Sequence, residues 1–141
     1  MSTSTENSVA VGGLAGSNSG VIASCYHAGK VSGKSGTTTG GITASNSGTL
    51  DNNYYNSTLL TPTYTPDVPE GASSNGVIPK SSSDMTKQTF VYGEGGTETL
   101  PKIGGLNYGI KQWRTNHSDK IYDSNYEHHY VYQPANYPKL N

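Results

Sequence analysis

The chain is short of charge, of aliphatic side chains and of cysteine. Charged residues make up 13% of its 141 positions and hydrophobic ones 31%, against about a quarter and about half in an average globular domain. Such a chain builds a thin core and must rely on extended structure with shared backbone hydrogen bonds. Its net charge is −1, and it has no run of Lys or Arg. It therefore lacks the means to neutralise several phosphates, which excludes nucleic acid as a partner. No stretch approaches the roughly 20 apolar residues of a membrane span, so no membrane insertion is expected. Cys25 stands alone, which rules out an internal disulfide. Met1-Ser2-Thr3-Ser4-Thr5 has neither a basic nor an apolar leader region, so no secretory signal is expected there. Phe and Trp occur once each. Tyrosine is abundant, with 11 copies, and together with the near-zero net charge this separates the chain from a disordered one.

What is present is a repeat. Val11 to Gly29 (VGGLAGSNSGVIASCYHAG) aligns without a gap on Thr39 to Ser57 (TGGITASNSGTLDNNYYNS), 28 residues later. Gly12, Gly13, Ser17, Asn18, Ser19, Gly20 and Tyr26 meet identical residues at Gly40, Gly41, Ser45, Asn46, Ser47, Gly48 and Tyr54. Leu14 meets Ile42, and Ile22 meets Leu50. Ser-Asn-Ser-Gly is turn chemistry, since Asn and Gly both tolerate left-handed backbone. Short β-branched runs flank it, and so much Gly, Ser and Thr disfavours helix. A strand–turn–strand unit recurring every 28 residues predicts a β-solenoid. Leu14 should then stack on Ile42, Ile22 on Leu50, and Asn18 on Asn46 as an amide ladder.

These residues resemble the GLUG motif, a repeat of bacterial surface and secreted proteins. Its pattern is a Gly-Gly-Leu-x-Gly core, an Asn-x-Gly turn, and a Cys- or Ser-Tyr-x-x-Gly stretch. The first repeat matches at Gly12-Gly13-Leu14, Gly16, Asn18, Gly20, Cys25-Tyr26 and Gly29. The second departs at Ile42 and Ala44 and ends in Asn53-Tyr54-Tyr55-Asn56, as last copies of such arrays do. The resemblance covers residues 1–58. Residues 59–83 hold Pro62, Pro66, Pro69 and Pro79, and read as a loop or an edge-hugging connection.

Beyond them the pattern changes. Asp84 to Phe90 predicts a short helix capped by Ser83 or Asp84. Leu106, Ile110 and Trp113 mark one face of a second helix. Ile121-Tyr122 and Tyr130-Val131-Tyr132 read as strands around a turn near Asp123-Ser124-Asn125. This order is similar to the segment that follows GLUG-type repeats in surface proteins of gut Bacteroidetes, with Met85 to Phe90, Leu106-Asn107 through Trp113, and Tyr137-Pro138-Lys139-Leu140 in the matching places. Thr86 departs from it, standing where Lys is common. The resemblance implies a terminal cap over 84–141, with Phe90, Leu106, Ile110 and Trp113 buried. The expected fold is thus mainly β: a short β-solenoid of two GLUG-type coils with a C-terminal α+β capping segment.

Few residues suggest chemistry. His128 and His129 are strand neighbours pointing to opposite faces, so they cannot share one metal ion from a regular strand. An exposed polar strand is the simpler expectation. His27 is expected on an outward coil position and His117 in a loop. Cys25 has no base beside it and reads as a small buried residue. Asp119, Asp123 and Glu127 lack the order of a calcium loop, and Gly93-Glu94-Gly95-Gly96 reads as a turn rather than a phosphate cradle. No metal, cofactor or catalytic group is expected. Tyr122, Tyr126, Tyr130 and Tyr132 are the candidate ligand-binding residues, as rings for a glycan platform, unless they fill a core poor in Leu, Ile and Val. The expected role is a non-catalytic structural or adhesive module at the bacterial surface, meeting a host or bacterial surface protein or glycan. The alternative is a carbohydrate-binding accessory module of a secreted glycan-active enzyme.

Overall fold

The computed structural model describes residues 10–32, 38–59, 76–117 and 129–141. The chain is mainly β, with 39% of the described residues in strands and 19% helical. It divides into two compact units, Met1–Ser82 and Ser83–Asn141.

The first unit is built by parallel pairing of the two repeats. The first repeat contributes β1 (Ala10–Gly12), β2 (Ala15–Asn18), β3 (Val21–Ala23) and β4 (Tyr26–His27). The second contributes β5 (Thr38–Gly40), β6 (Thr43–Asn46), β7 (Thr49–Asp51) and β8 (Asn53–Asn56). Each strand lies parallel to its counterpart in the register of the alignment: Val11 on Thr39, Asn18 on Asn46, Ile22 on Leu50, Tyr26 on Tyr54. The Leu14 and Ala15 N–H groups both donate to the Ile42 carbonyl, at 3.0 and 3.2 Å. The amide ladder forms as well, with Asn18 Nδ2 donating to Asn46 Oδ1 at 2.7 Å.

A further strand falls inside the proline-rich connection. β9 (Val77–Lys80) pairs parallel with β8, Asn53 against Val77 and Tyr55 against Pro79. Proline is tolerated because β9 is the outer strand of the three-stranded sheet β4-β8-β9. Val77 joins Ile42, Leu50 and Tyr55 in the core of this unit, with Ile22 packed against them. Ile42, Leu50 and Tyr54 are all buried.

Tight approach explains the paired glycines. A Cβ on Gly41 would sit 2.3 Å from Cγ of the Tyr55 ring, and one on Gly13 would sit 2.7 Å from Cγ of His27. In each repeat a ring therefore packs where glycine leaves no side chain. His27 is thus half-buried against Gly13 rather than facing outward.

The second unit contains a 3₁₀ turn (Asp84–Thr86), α1 (Gln88–Tyr92), α2 (Leu106–Asn116), β10 (Tyr130–Gln133) and β11 (Asn136–Leu140). The helix expected from Asp84 is interrupted at Lys87, which is extended, and Ser83 makes no capping bond. The Asp84 carboxylate instead accepts from Lys87 Nζ at 2.7 Å. Met85, Phe90, Val91, Tyr92 and Leu106 are buried. Ile110 and Trp113 are only half-buried. Trp113 instead stacks on His117 at the C-terminal end of α2.

The strand expected at residues 121–122 lies outside the described residues. β10 forms an antiparallel hairpin with β11, Tyr130 opposite Leu140. The turn runs through Pro134 and Ala135, and Ala135 takes a left-handed φ of 59°. Alanine is an uncommon residue for that conformation, so the turn carried a weaker sequence signal than Asp123-Ser124-Asn125.

Candidate functional site

Of the four candidate tyrosines, Tyr122 and Tyr126 lie outside the described residues. Tyr130 and Tyr132 lie on β10 and are half-buried. Their strand is locked by neighbours in the second unit. Asn107, fully buried near the start of α2, accepts from the Tyr130 N–H at 2.8 Å and donates to the Tyr130 carbonyl at 2.7 Å. The Tyr132 N–H donates to the Tyr92 hydroxyl at 3.2 Å. The ladder register shifts between Val131 and Gln133, which interrupts the alternation needed to align two rings on one face. These tyrosines are therefore partly spent on holding the hairpin to the helices.

The described histidines and the cysteine are also engaged within the fold. His129 is buried rather than exposed, and its Nε2 lies 2.8 Å from Glu98 Oε1. His128 lies outside the described residues, as do Asp119, Asp123 and Glu127. His117 closes α2; its ring stacks on Trp113 with centroids 3.5 Å apart, and its Nδ1 lies 3.0 Å from the Trp113 carbonyl. The Cys25 Sγ donates to the Ala23 carbonyl at 3.3 Å. Burial pushes the Cys25 thiol up, outweighing the opposite effect of that hydrogen bond. The sulfur is thus a thiol at neutral pH and a poor nucleophile. Among the described residues no group of three or more His, Cys, Asp or Glu gathers as metal ligands. No helix of the described residues is long and apolar enough to cross a membrane.

The densest polar chemistry sits inside the first unit, at asparagines that the repeat alignment does not single out. Asn53 is fully buried. Its Oδ1 accepts from the Cys25 N–H at 3.1 Å, and its Nδ2 donates to the carbonyls of Ile22 at 2.8 Å and Gly76 at 3.1 Å. Asn56 reaches the Ala28 carbonyl at 3.1 Å and the Ser82 hydroxyl at 2.8 Å, and accepts from the Thr58 N–H. Asn52 and its counterpart Ser24 both take left-handed backbone, φ 54° and 51°, joined by a 3.3 Å bond from Asn52 Nδ2 to Ser24 Oγ. The Tyr54 hydroxyl donates to Asn52 Oδ1 at 2.7 Å. Burial first, and the nearby Asp51 carboxylate second, push the Tyr54 phenol up to about 12.

The sequence signal for these residues was faint. Asn53 aligns with Cys25 and Asn56 with Ala28, so neither is an identity of the repeat. The one hint is that asparagine, normally depleted in strands, flanks two tyrosines at a strand position. No family model, no curated protein and no solved structure matches this chain.

Proposed function

We propose that this chain is a non-catalytic structural or adhesive module of a bacterial surface repeat protein, a short β-solenoid of GLUG-like turns followed by an α+β cap. The observation that carries this reading is the use of polar groups in the first unit. Asn18, Asn46, Asn53 and Asn56 bond from one repeat to the other or to the backbone beside them. A framework that commits its polar side chains to its own backbone is suited to rigidity and display. The in-register parallel pairing of every strand of the first repeat supports the solenoid geometry.

Three measurements test the parts of the reading. Antiserum against the chain should find it in the surface fraction of its source organism, and a cytosolic pool would refute the location. Chromogenic glycan, peptide and ester substrates should not turn over; hydrolysis abolished by one substitution would refute the non-catalytic role. For the cap, a chain ending at Ser82 should aggregate where the full chain stays soluble. A soluble, cooperatively unfolding 1–82 would remove the need for one.

A further inference from the structure

We propose that His27 is an acid-released clasp: when its ring takes up a proton it leaves the Gly13 backbone, and β4 detaches from β8 while β8 stays paired with β9. The inference goes beyond the structural role proposed above and does not depend on it.

The argument begins with what holds β4. The strand is two residues long, Tyr26–His27, too short for ladder bonds alone to fix it. Side-chain packing must therefore contribute, and the His27 ring supplies it. A Cβ on Gly13 would sit 2.7 Å from both Cγ and Nδ1 of the ring, and one on Gly29 would sit 3.4 Å from Cε1 and Nε2. The ring lies against both glycines, with Nδ1 toward Gly13. That nitrogen is buried and has no hydrogen-bond partner. In the imidazolium both ring nitrogens carry a proton. Protonation thus makes Nδ1 a buried charged donor without an acceptor, a state that moving the ring into water relieves.

The surroundings offer the imidazolium no compensating charge. Ala10 to Gly29 contains no Asp, Glu, Lys or Arg, and neither does Thr38 to Asn46, which includes Gly41, nor β8. The titratable side chains of these elements are Cys25, Tyr26, Tyr54 and Tyr55, none of them a carboxylate. The next charged residue along the chain is Lys30, a cation. Burial first, and the positive charge of the amino terminus second, lower the affinity of His27 for a proton. The second repeat is built without this sensitivity. Tyr55 takes the ring position under Gly41, and β8 is held to β9 by the Asn53 N–H and Asn53 Nδ2, both donating to the Gly76 carbonyl at 3.1 Å. Opening is therefore confined to the first repeat, as a local event that leaves the rest of the unit folded.

The test is residue-resolved amide hydrogen exchange of the full chain between about pH 7.5 and about pH 5, corrected for intrinsic rates. Two neighbouring amides separate the two pairings. The Tyr54 N–H donates to the Cys25 carbonyl at 2.9 Å and reports β4 on β8, whereas the Asn53 N–H reports β8 on β9. In wild type, Tyr54 protection should fall at least about threefold more than Asn53 protection, the factor for half a unit of differential proton affinity. His27→Tyr and His27→Phe both keep a ring against Gly13 and remove the proton site, and either should abolish the difference. Parallel loss at the two amides would overturn the proposal, since the opening would then be global. So would an unchanged difference in the folded variants, or greater Tyr54 protection in acid, the sign of an imidazolium that finds an acceptor in place.

Discussion

The two repeats share a register and differ in burial. Ile42, Leu50 and all of Asn53 to Asn56 are buried in the second repeat, whereas Leu14 is exposed and Ile22 and Cys25 to Ala28 are half-buried in the first. Pairing partners account for the difference. β8 lies between β4 and β9, while among the described residues β4 pairs with β8 alone. Where the backbone is enclosed on both sides it has no access to water, and its carbonyls must find partners within the chain. The second repeat places Asn53 and Asn56 there, where the first has Cys25 and Ala28. Identity between repeats thus reports register, and the departures from identity report how deeply each repeat is enclosed.

The sharpest way to break this contrast is Asn53→Ala. It strands the Cys25 N–H and removes a donor from the Ile22 and Gly76 carbonyls in a site without water access. Each buried orphan costs about 1–3 kcal/mol, so a loss of about 3–5 kcal/mol is expected in urea unfolding of the first unit. Cys25→Ala, at the equivalent half-buried position, should cost under about 1.5 kcal/mol. Equal losses at the two positions would contradict the enclosure argument.

The glycines give the next largest effect. Gly41→Ala forces a Cβ into the Tyr55 ring and should cost about 3 kcal/mol, the upper range for overpacking. The two nearest atoms belong to the Tyr55 ring, so Tyr55→Ala, which leaves only the Cβ at 2.8 Å, should recover part of that cost in a double-mutant cycle. Gly13→Ala meets the Gly41 carbonyl at 2.2 Å as well as the His27 ring. A backbone obstacle survives removal of the ring, so His27→Ala should recover little. Calorimetric melting of the four variants and two doubles measures this, and equal recovery at both sites would refute it.

Much of the first unit was readable because its signals are local and repeated. Gly-Gly and Ser-Asn-Ser-Gly set the turns, and the gapless alignment set the strand register that the pairing follows. β9 was hidden because prolines mark an interior strand as improbable but leave an outer one open, and sequence does not say which is which. The partner of β10 was missed because Ala135 supplies a left-handed turn without the usual Asn or Gly. The candidate tyrosines were chosen by ring type. What the described pair does depends on Asn107 and Tyr92, residues distant in sequence whose approach is set by packing alone.

A smaller contrast is set by Tyr54, buried and held near Asp51. Its phenol is pushed up to about 12 in the folded chain from an ordinary value of 10.0. The folded state therefore holds the proton more tightly than the unfolded one. Stability from this group is complete below pH 10 and is lost as pH rises toward 12. The full loss is about 2–3 kcal/mol. Tyr54→Phe should flatten the decline in urea midpoint between pH 9.5 and pH 11.5, at a cost of about 1 kcal/mol at neutral pH for the bond to Asn52. An unchanged alkaline slope would remove Tyr54 as its source.

The smallest expected effect comes from the one ring position where the repeats differ in charge chemistry, His27 against Tyr55. His27 packs beneath Gly13, and its Nδ1 is buried with no hydrogen-bond partner. Burial lowers its affinity for a proton below that of a free imidazole. The unfolded chain then binds more protons than the folded one once pH drops below about 6.5, so stability is complete above that value and falls as pH passes through the lower folded value. The ring is half-exposed, and solvent screening keeps the effect small. Tyr55 occupies the equivalent place under Gly41 without a proton to gain in this range. His27→Tyr should therefore copy the second repeat into the first and remove part of the fall in urea midpoint between pH 7.5 and pH 5. His129, 2.8 Å from Glu98 in the second unit, is the same in both proteins and cancels in the comparison. If wild type and His27→Tyr lose stability in parallel over this range, the acid sensitivity lies outside the first repeat.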